Sequence, residues 1–196
     1  MADGPSLVLM PGTSDEPCAS GIATLDATRT LEAMVGPVAV AQAKAALSAT
    51  QRAELDAATP YAWVPLTTLG AFFDAVAQVV GREPEALVDE VVRRAVDHTF
   101  KTVWRMFLRV TTDDALIKRT PVIYARSRNV GRLETRLLER GHAELHLTGW
   151  PGVSDRQLRL LAISIQSVLQ IAGRRNVTYN YSRTLDGGRY ELHWRT

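Results

Sequence analysis

The stretch GRLETRLLERGHAELHLTGW, residues 131–150, opens the part of the chain that decides the fold. Its first half carries charged residues at the spacing of a solvent-facing strand surface, and Gly141 then turns the chain. In its second half, Ala143, Leu145 and Leu147 share one face of a half-buried strand. The stretch therefore predicts an antiparallel hairpin with one apolar face.

A helix and a second hairpin follow this first hairpin. Ser154 and Gln157 have the spacing of a capping box, and apolar residues then recur at helical intervals until Gly173. Two further strands, at residues 177–182 and 189–194, flank a tight turn at residues 186–188. We therefore predict an α+β fold, with an N-terminal helical bundle packed on a C-terminal four-stranded antiparallel sheet of ββαββ order.

The first two thirds of the chain are expected to be mainly helical. The apolar periodicity, with its glycine and proline boundaries, predicts helices at residues 25–35, 38–47, 48–57, 66–80, 83–110 and 114–126. Pro121 is expected to kink or split the last of these helices, because proline lacks the main-chain N–H. Residues 1–20 are rich in small and polar residues and are expected to form a flexible arm, with residues 21–196 as a single domain.

Composition excludes several classes of protein. Cys18 is the single cysteine, so the chain has neither an internal disulfide nor a thiolate metal site of its own. The N-terminus lacks a basic region followed by an apolar run, and no apolar stretch reaches the roughly 18–20 residues that span a bilayer. The formal net charge is +2. These features predict a soluble cytoplasmic protein.

Residues that form common catalytic and metal sites are sparse. The four histidines are His98, His142, His146 and His193. His142 and His146 share one face of a strand but lie about 13 Å apart, too far to bind one ion. The sequence also lacks the HExxH, GxSxG, GxGxxG and P-loop motifs, and Asp113-Asp114 has the position of a helix cap. We therefore predict no catalytic residues, no metal site and no cofactor, so an enzyme is the least favoured class.

Aromatic residues indicate a candidate ligand cavity between the helices and the sheet. The residues expected to line it are Phe73, Trp104, Phe107, Tyr124, Tyr179 and Trp194. Arg105, Arg109 and Arg128 are candidates to hold an anionic group at its mouth. The same pattern also suits aromatic rings that only fill a core, and arginines that lie on solvated faces or contact nucleic acid.

Several segments together resemble a known superfamily. They are the helix that begins near Gly21, Trp63-Val64-Pro65-Leu66, the run through Phe100, Trp104 and Leu108, the hairpin at Gly131, Gly149-Trp150-Pro151 and Tyr190-Glu191-Leu192-His193-Trp194. Across residues 21–194 the chain resembles the ligand-binding superfamily that includes haem-NO-binding domains, vinyl-4-reductase domains and the vesicle-tethering TRAPP subunits. More narrowly, it resembles a paralogous family of uncharacterised myxobacterial proteins.

The resemblance implies a sensor-like scaffold, but this sequence departs from the haem-binding pattern. Haem-NO-binding domains use an axial histidine in the helix before the sheet, and residues 114–126 contain none. Their Tyr-x-Ser-x-Arg motif holds the haem propionates, whereas residues 179–183 have Tyr181 in place of the serine. The cysteine-rich site of vinyl-4-reductase domains has no counterpart beyond Cys18. We therefore expect neither haem nor another of the family's cofactors.

Three functional hypotheses remain open from the sequence. The first is a non-enzymatic regulatory or sensor-like protein that binds a small apolar or amphipathic ligand, or a partner protein. The second is a structural adaptor that forms a homodimer through the alanine- and valine-rich segment at residues 38–47. Nucleic-acid binding through the arginines is the least favoured of the three, and it predicts an affinity that falls steeply with salt.

Overall fold

The computed structural model of the protein describes residues 16–99 and 108–195. The described elements, in chain order, are β1 (Cys18–Ser20), α1 (Gly21–Val35), α2 (Pro37–Ala45), α3 (Ala49–Asp56), β2 (Trp63–Pro65), α4 (Leu66–Val80), α5 (Pro84–Thr99), α6 (Asp113–Ser127), β3 (Arg132–Glu139), β4 (His142–Thr148), α7 (Asp155–Ile171), β5 (Arg175–Thr184) and β6 (Gly187–Arg195). This is the predicted α+β architecture, with a helical N-terminal part and a ββαββ C-terminal part.

The C-terminal sheet has four antiparallel strands in the order β3-β4-β6-β5. Alternation along the central strands places Leu145 on β4 directly beside Tyr190 on β6, and both side chains are fully buried. The opposite face of the same strands carries histidine, glutamate and arginine. The sheet therefore has one apolar face toward the protein core and one polar face toward solvent.

Helix α7 joins the two parts of the core. Ser154 caps the helix by accepting a hydrogen bond from the Gln157 N–H at 3.2 Å, as the capping-box spacing predicts. Leu158 and Ile165 pack in the cluster of the sheet, whereas Leu160 and Ile163 pack among the N-terminal helices. One helix thus presents apolar residues to both layers and fixes their relative position.

The N-terminal helices surround their own apolar cluster. Helix α4 has the predicted bounds, and Phe72, Val76 and Ala77 lie on its buried face. Gly81 ends α4 in the left-handed conformation, with a φ of 65°. No helix within residues 16–99 and 108–195 combines the length and the apolar character that crossing a membrane requires.

The helical region begins earlier than expected. Cys18–Ser20 belong to the predicted arm, but they form β1, which pairs with β2. Ser20 then caps α1, which begins at Gly21 instead of residue 25. A Cβ at Gly21 would lie 1.7 Å from the Thr59 carbonyl oxygen, so only glycine permits this close approach of the two segments. Residues 1–15 of the predicted arm lie outside the described residues.

Two expectations about helix boundaries have different outcomes. Helix α5 is described to Thr99, and Leu108–Val110 are helical, but residues 100–107 of the predicted long helix lie outside the described residues. Pro121 does not split the helix that contains it, because α6 continues from Asp113 to Ser127. The expectation of a split helix was therefore wrong.

Candidate ligand cavity

A cavity of about 430 Å³ lies between the N-terminal helices and the C-terminal part. Helices α1, α4 and α5 contribute one side, and α6, α7 and strand β4 contribute the other. Ile22 on α1 and Ile123 on α6 line it and are about half exposed, so the mouth lies between these two helices. The cavity therefore occupies the junction of the two layers.

The inner wall of the cavity is mainly apolar. Leu69 and Phe73 reach it from α4, Val92 from α5, and Leu161 and Ile165 from α7. These residues occupy the helical positions that face the interior of the molecule, so the periodicity that builds the core also builds the wall. A wall of this kind favours an apolar molecule or the apolar part of one.

Tyr124 is a buried polar residue in this wall. Its hydroxyl donates a hydrogen bond to the Val130 carbonyl at 2.8 Å, just before strand β3 begins. Burial raises the pKa of the Tyr124 phenol to about 12, although the nearby Arg128 cation acts in the opposite direction. The Tyr124 phenol therefore stays neutral, and its proton is held in the hydrogen bond to the Val130 carbonyl.

Arg128 is a half-buried cation of the cavity wall without a carboxylate partner among the described residues. Its Nη1 donates to the Ser127 carbonyl at 2.9 Å, and no carboxylate within the described residues forms an ion pair with it. The Arg128 side chain is half-buried, and the burial of its guanidinium lowers the pKa of Arg128 below its ordinary value, although the Tyr124 phenol acts in the opposite direction. This half-buried cation therefore has a main-chain carbonyl but no carboxylate partner among the described residues.

The other charged residues of the wall are three arginines and Asp26, whose carboxylate lies 3.6 Å from Arg29 on the same helix. Arg119 and Arg126 line the cavity from α6 and are exposed at its mouth. Arg156 also lines it, but its guanidinium contacts Asp74 and Glu85, the former at 2.9 Å. The positive charges that remain for an anionic ligand therefore lie along α6 and at its C-terminal end.

The structure brings together only some of the residues predicted from the sequence. Phe73, Tyr124 and Arg128 line the cavity. Arg109 lines a separate crevice of about 270 Å³, together with Arg93 and Gln170. Trp104, Arg105 and Phe107 lie outside the described residues.

Tyr179 and Trp194 do not line the cavity, contrary to expectation. Trp194 belongs to the buried core beneath the sheet, and its indole Nε1 donates to the Asp113 carboxylate at 3.1 Å. Tyr179 packs against both apolar clusters, with its ring beside Tyr181. The strand pattern predicted correctly that these aromatic residues face inward, but it did not predict which part of the interior they reach.

A signal for the cavity was present at another position in the sequence. Tyr124 and Arg128 are four residues apart, the spacing that places two side chains on one face of a helix. This segment lies at the end of α6 and lines the cavity, whereas residues 179–183 lie on β5. The i, i+4 spacing of Tyr124 and Arg128 is therefore a local signal that the sequence analysis did not use.

Comparisons with known proteins identify the fold. No family model and no curated protein matches the sequence. Solved H-NOX structures match 90% of this chain. One is an Fe(II) unliganded H-NOX protein from K. algicida, with a TM-score of 0.64 and 7% sequence identity over 97% of that chain. Another is an oxygen-binding H-NOX domain related to soluble guanylate cyclases, with a TM-score of 0.62 and 12% sequence identity over 95% of that chain. A further structure, from work on haem distortion in the H-NOX family, has a TM-score of 0.66 at 12% identity and 95% of its length. The chain therefore has an H-NOX-like fold, at an identity that shows the fold alone.

Proposed function

We propose that this protein is a non-enzymatic, sensor-like protein that binds a small amphipathic anion in the cavity between its two layers. The ligand has an apolar body and a carboxylate or phosphate group. One observation carries the proposal: the apolar cavity of about 430 Å³ contains the Arg128 guanidinium, which has no carboxylate partner in the described part of the chain.

The apolar part of the ligand follows from the wall. Small-molecule sites of roughly 300–1,000 Å³ are usual, and they are mainly apolar with few polar groups. Leu69, Phe73 and Leu161 supply such a surface here. Burial of an aliphatic chain against them is worth about 25 cal/mol for each Å² removed from water.

The anionic part follows from the arginines. A guanidinium binds a carboxylate or a phosphate through two parallel hydrogen bonds, and burial strengthens them. Arg128 is placed to make this contact inside the cavity, while Arg119 and Arg126 attract an anion to the mouth. A ligand anion at Arg128 also supplies the charged partner that this half-buried cation lacks among the described residues.

The described part of the wall does not fit haem held by an axial side chain, the group named for the similar H-NOX structures. Among the described residues that line the cavity there is no histidine, cysteine or methionine. His98 lies on α5, but it is exposed and does not line the cavity. The Tyr124 phenol is neutral, and it donates its proton to the Val130 carbonyl. An amphipathic anion without a metal requires none of these ligands.

The hydroxyl groups of the wall support binding without catalysis. Thr24, Thr120, Ser127 and Ser164 each donate to a main-chain carbonyl within three or four residues. A nucleophilic hydroxyl needs a general base as its partner, and these four hydroxyls have helix carbonyls instead. The Thr99 hydroxyl, also in the wall, makes its shorter contact with the Ala95 carbonyl at 2.9 Å and lies 3.4 Å from the Asp26 carboxylate.

Native mass spectrometry and calorimetry of the purified full chain test the proposal. A small-molecule mass that is lost on denaturation identifies a retained ligand. Decanoate and decanol then serve as matched probes, because they share an alkyl chain and differ in charge. We expect decanoate to bind at least tenfold more tightly than decanol, since a charge-assisted hydrogen bond is worth about 1.5–3 kcal/mol.

Two variants separate the cavity arginine from general positive charge. Arg128→Met is expected to weaken decanoate binding at least tenfold, whereas Arg140→Met, at an exposed position in the β3–β4 turn, is expected to leave it unchanged. A bare polypeptide mass together with no decanoate binding contradicts the proposed function. Equal effects of the two substitutions contradict the role of Arg128.

An adaptor that dimerises through residues 38–47 has weaker support. Val40, Ala43 and Leu47 are already buried within the chain, so Val38 is the large apolar residue that this segment exposes. A homodimer, a cytoplasmic location, the domain boundary at residue 20 and the narrower kinship with the myxobacterial family stay proposals.

A further inference from the structure

The solvent-facing side of the sheet brings two histidines and a glutamate together. His142 on β4 lies directly opposite His193 on β6, and their rings stack with centroids 4.1 Å apart. The Nε2 atoms of the two rings lie 3.0 Å and 3.5 Å from the same oxygen, Oε1 of Glu191. Three side chains from two neighbouring strands therefore direct nitrogen and oxygen atoms toward one point.

We propose that His142, His193 and Glu191 form a binding site for a divalent transition-metal ion of the Zn²⁺ class. The ligand atoms of the three residues all lie within 4.8 Å of one another. The site lies on the opposite face of the sheet from the ligand cavity, so it is independent of the function proposed above.

The distances agree with tetrahedral coordination. Zinc binds histidine nitrogen and carboxylate oxygen at about 2.0–2.2 Å, so neighbouring ligand atoms in a tetrahedron are about 3.4 Å apart. The two nitrogen–oxygen distances, 3.0 Å and 3.5 Å, bracket this value. Because the two rings are stacked with an angle of 22° between their planes, a rotation of one ring is needed to direct both Nε2 lone pairs at one ion.

The ligand types decide the class of ion. Imidazole nitrogen suits Zn²⁺, Cu²⁺ and Ni²⁺, whereas Mg²⁺ and Ca²⁺ prefer oxygen ligands alone. Two histidines and one carboxylate supply three ligands, which leaves a fourth position for water or for a group from outside.

The surroundings support the orientation of the histidines. His142 is the less exposed of the two rings, at 19% of its side-chain surface, so the sheet restricts its motion. Glu139 Oε1 lies 3.9 Å from the Nδ1 atom of His142, on the side away from Glu191. At 3.9 Å this carboxylate is too far to accept a hydrogen bond, but Glu139 is exposed, and a rotation of its side chain would let it accept the Nδ1 proton when Nε2 binds a metal.

The site was not predicted from the sequence because its residues pair across strands. Along β4, His142 and His146 are separated by four residues and cannot share an ion, as the sequence analysis concluded. The relevant partner is His193, which the antiparallel register places beside His142. Sequence spacing alone does not contain this register, so the expectation of no metal site considered the wrong pair.

His146 provides the matched control. It lies on the same face of β4, and its Nε2 is 3.3 Å from Glu144, which also contacts Arg189. His146 therefore shares its carboxylate with an arginine and not with a second histidine. A variant of His146 removes one imidazole from the sheet without touching the proposed site.

Calorimetric titration of the full chain with ZnCl₂ at neutral pH tests the proposal. We expect one Zn²⁺ per chain for the unmodified protein and for His146→Asn, with affinity at least tenfold weaker in His142→Asn and in His193→Asn. Zn²⁺ should also raise the melting temperature of the unmodified protein and of His146→Asn, but not of His193→Asn. Circular dichroism establishes that each variant is folded.

Three outcomes overturn the proposal. The first is no uptake of Zn²⁺ by the unmodified protein. The second is an affinity of folded His193→Asn equal to that of the unmodified protein. The third is binding of Ca²⁺ or Mg²⁺ as tight as that of Zn²⁺, which excludes a site built on imidazole nitrogen.

Discussion

The Thr135 hydroxyl on strand β3 donates a hydrogen bond to the Ile117 carbonyl on helix α6, at 2.9 Å. Ile117 lies four residues before Pro121, so its carbonyl lacks the helical donor that another residue at position 121 would supply. The sheet therefore provides the hydrogen bond that proline removes. This contact explains why the helix continues through Pro121 without a break.

Thr135→Val is expected to destabilise the protein by about 1 kcal/mol, because the Ile117 carbonyl then loses its donor in a partly buried position. Urea unfolding measures the change, with Thr178→Val at an exposed position on β5 as the control. In a Pro121→Ala background, the main-chain N–H is restored and the cost of Thr135→Val should shrink. An equal cost in both backgrounds contradicts the compensation.

Loss of the buried ion pair between Asp113 and Arg174 is expected to destabilise the protein more than Thr135→Val does. Arg174 Nε donates to Asp113 Oδ1 at 2.8 Å, both residues are about 9% exposed, and the other carboxylate oxygen accepts from Trp194. Asp113→Ala should cost roughly 3 kcal/mol, since it leaves a buried cation without its partner. Asp114→Asn is the matched control, because the adjacent Asp114 is exposed and pairs only with Lys118 at 2.9 Å among the described residues. Similar urea midpoints for the two variants would contradict this assignment.

These contacts show what the sequence pattern could predict. Periodicity located α4 and the ββαββ order, because burial of an apolar face depends on residues close in the chain. It offered Thr112 or Asp113 as the cap of α6; Thr112 is the cap, and Asp113 instead pairs with Arg174, just after the end of α7. The partners of polar groups depend on how elements pack, and local spacing does not encode that packing.

The same limit applies to the candidate cavity. Phe73 and Tyr124 lie on apolar faces that the sequence marked as buried, and both line it. Trp194 has the same character but lies beneath the sheet. An apolar pattern predicts that a side chain is buried. Only the tertiary arrangement decides whether that side chain lines a cavity or packs in the core.

The Tyr190 hydroxyl is buried without a hydrogen-bond partner among residues 16–99 and 108–195. Tyr190 itself is fully buried, so this group has lost its water without compensation. Tyr190→Phe should therefore leave stability unchanged or raise it by up to about 1 kcal/mol. Tyr181→Phe should lower it slightly, because the Tyr181 hydroxyl donates to Asp155 at 3.1 Å. Thermal unfolding compares the two variants, and a large loss in Tyr190→Phe would contradict the assignment.

Tyr124 makes stability depend on pH in the alkaline range. Burial raises its pKa to about 12 in the folded protein, against about 10 in the unfolded chain. The folded state therefore favours the neutral phenol, and this stabilisation is complete below pH 10 and is lost as the pH rises through about 12. The expected loss, once the pH is above about 12, is nearly 3 kcal/mol, from two pKa units at about 1.4 kcal/mol each.

Urea unfolding at pH 9, 10 and 11 measures this effect. Tyr124→Phe should be about 1 kcal/mol less stable at neutral pH, because the hydrogen bond to Val130 is lost, but it should lose less stability in alkali. Tyr61→Phe is the control, since Tyr61 is 92% exposed. Identical alkaline slopes for the unmodified protein and Tyr124→Phe would show that Tyr124 is not the group responsible.

Filling the cavity separates the proposed ligand site from the stability of the fold. Ala95 on α5 lines the cavity and is half-buried, so Ala95→Phe directs a ring into the space that the ligand is proposed to occupy. We expect decanoate binding to be lost, with a change in unfolding free energy below about 1 kcal/mol, because new contacts in open space offset the cost of a larger side chain. Ala86→Phe, at an exposed position on the same helix, should leave binding intact. Binding retained by Ala95→Phe places the ligand elsewhere, and a loss of about 3 kcal/mol means that the space is too small for a ring.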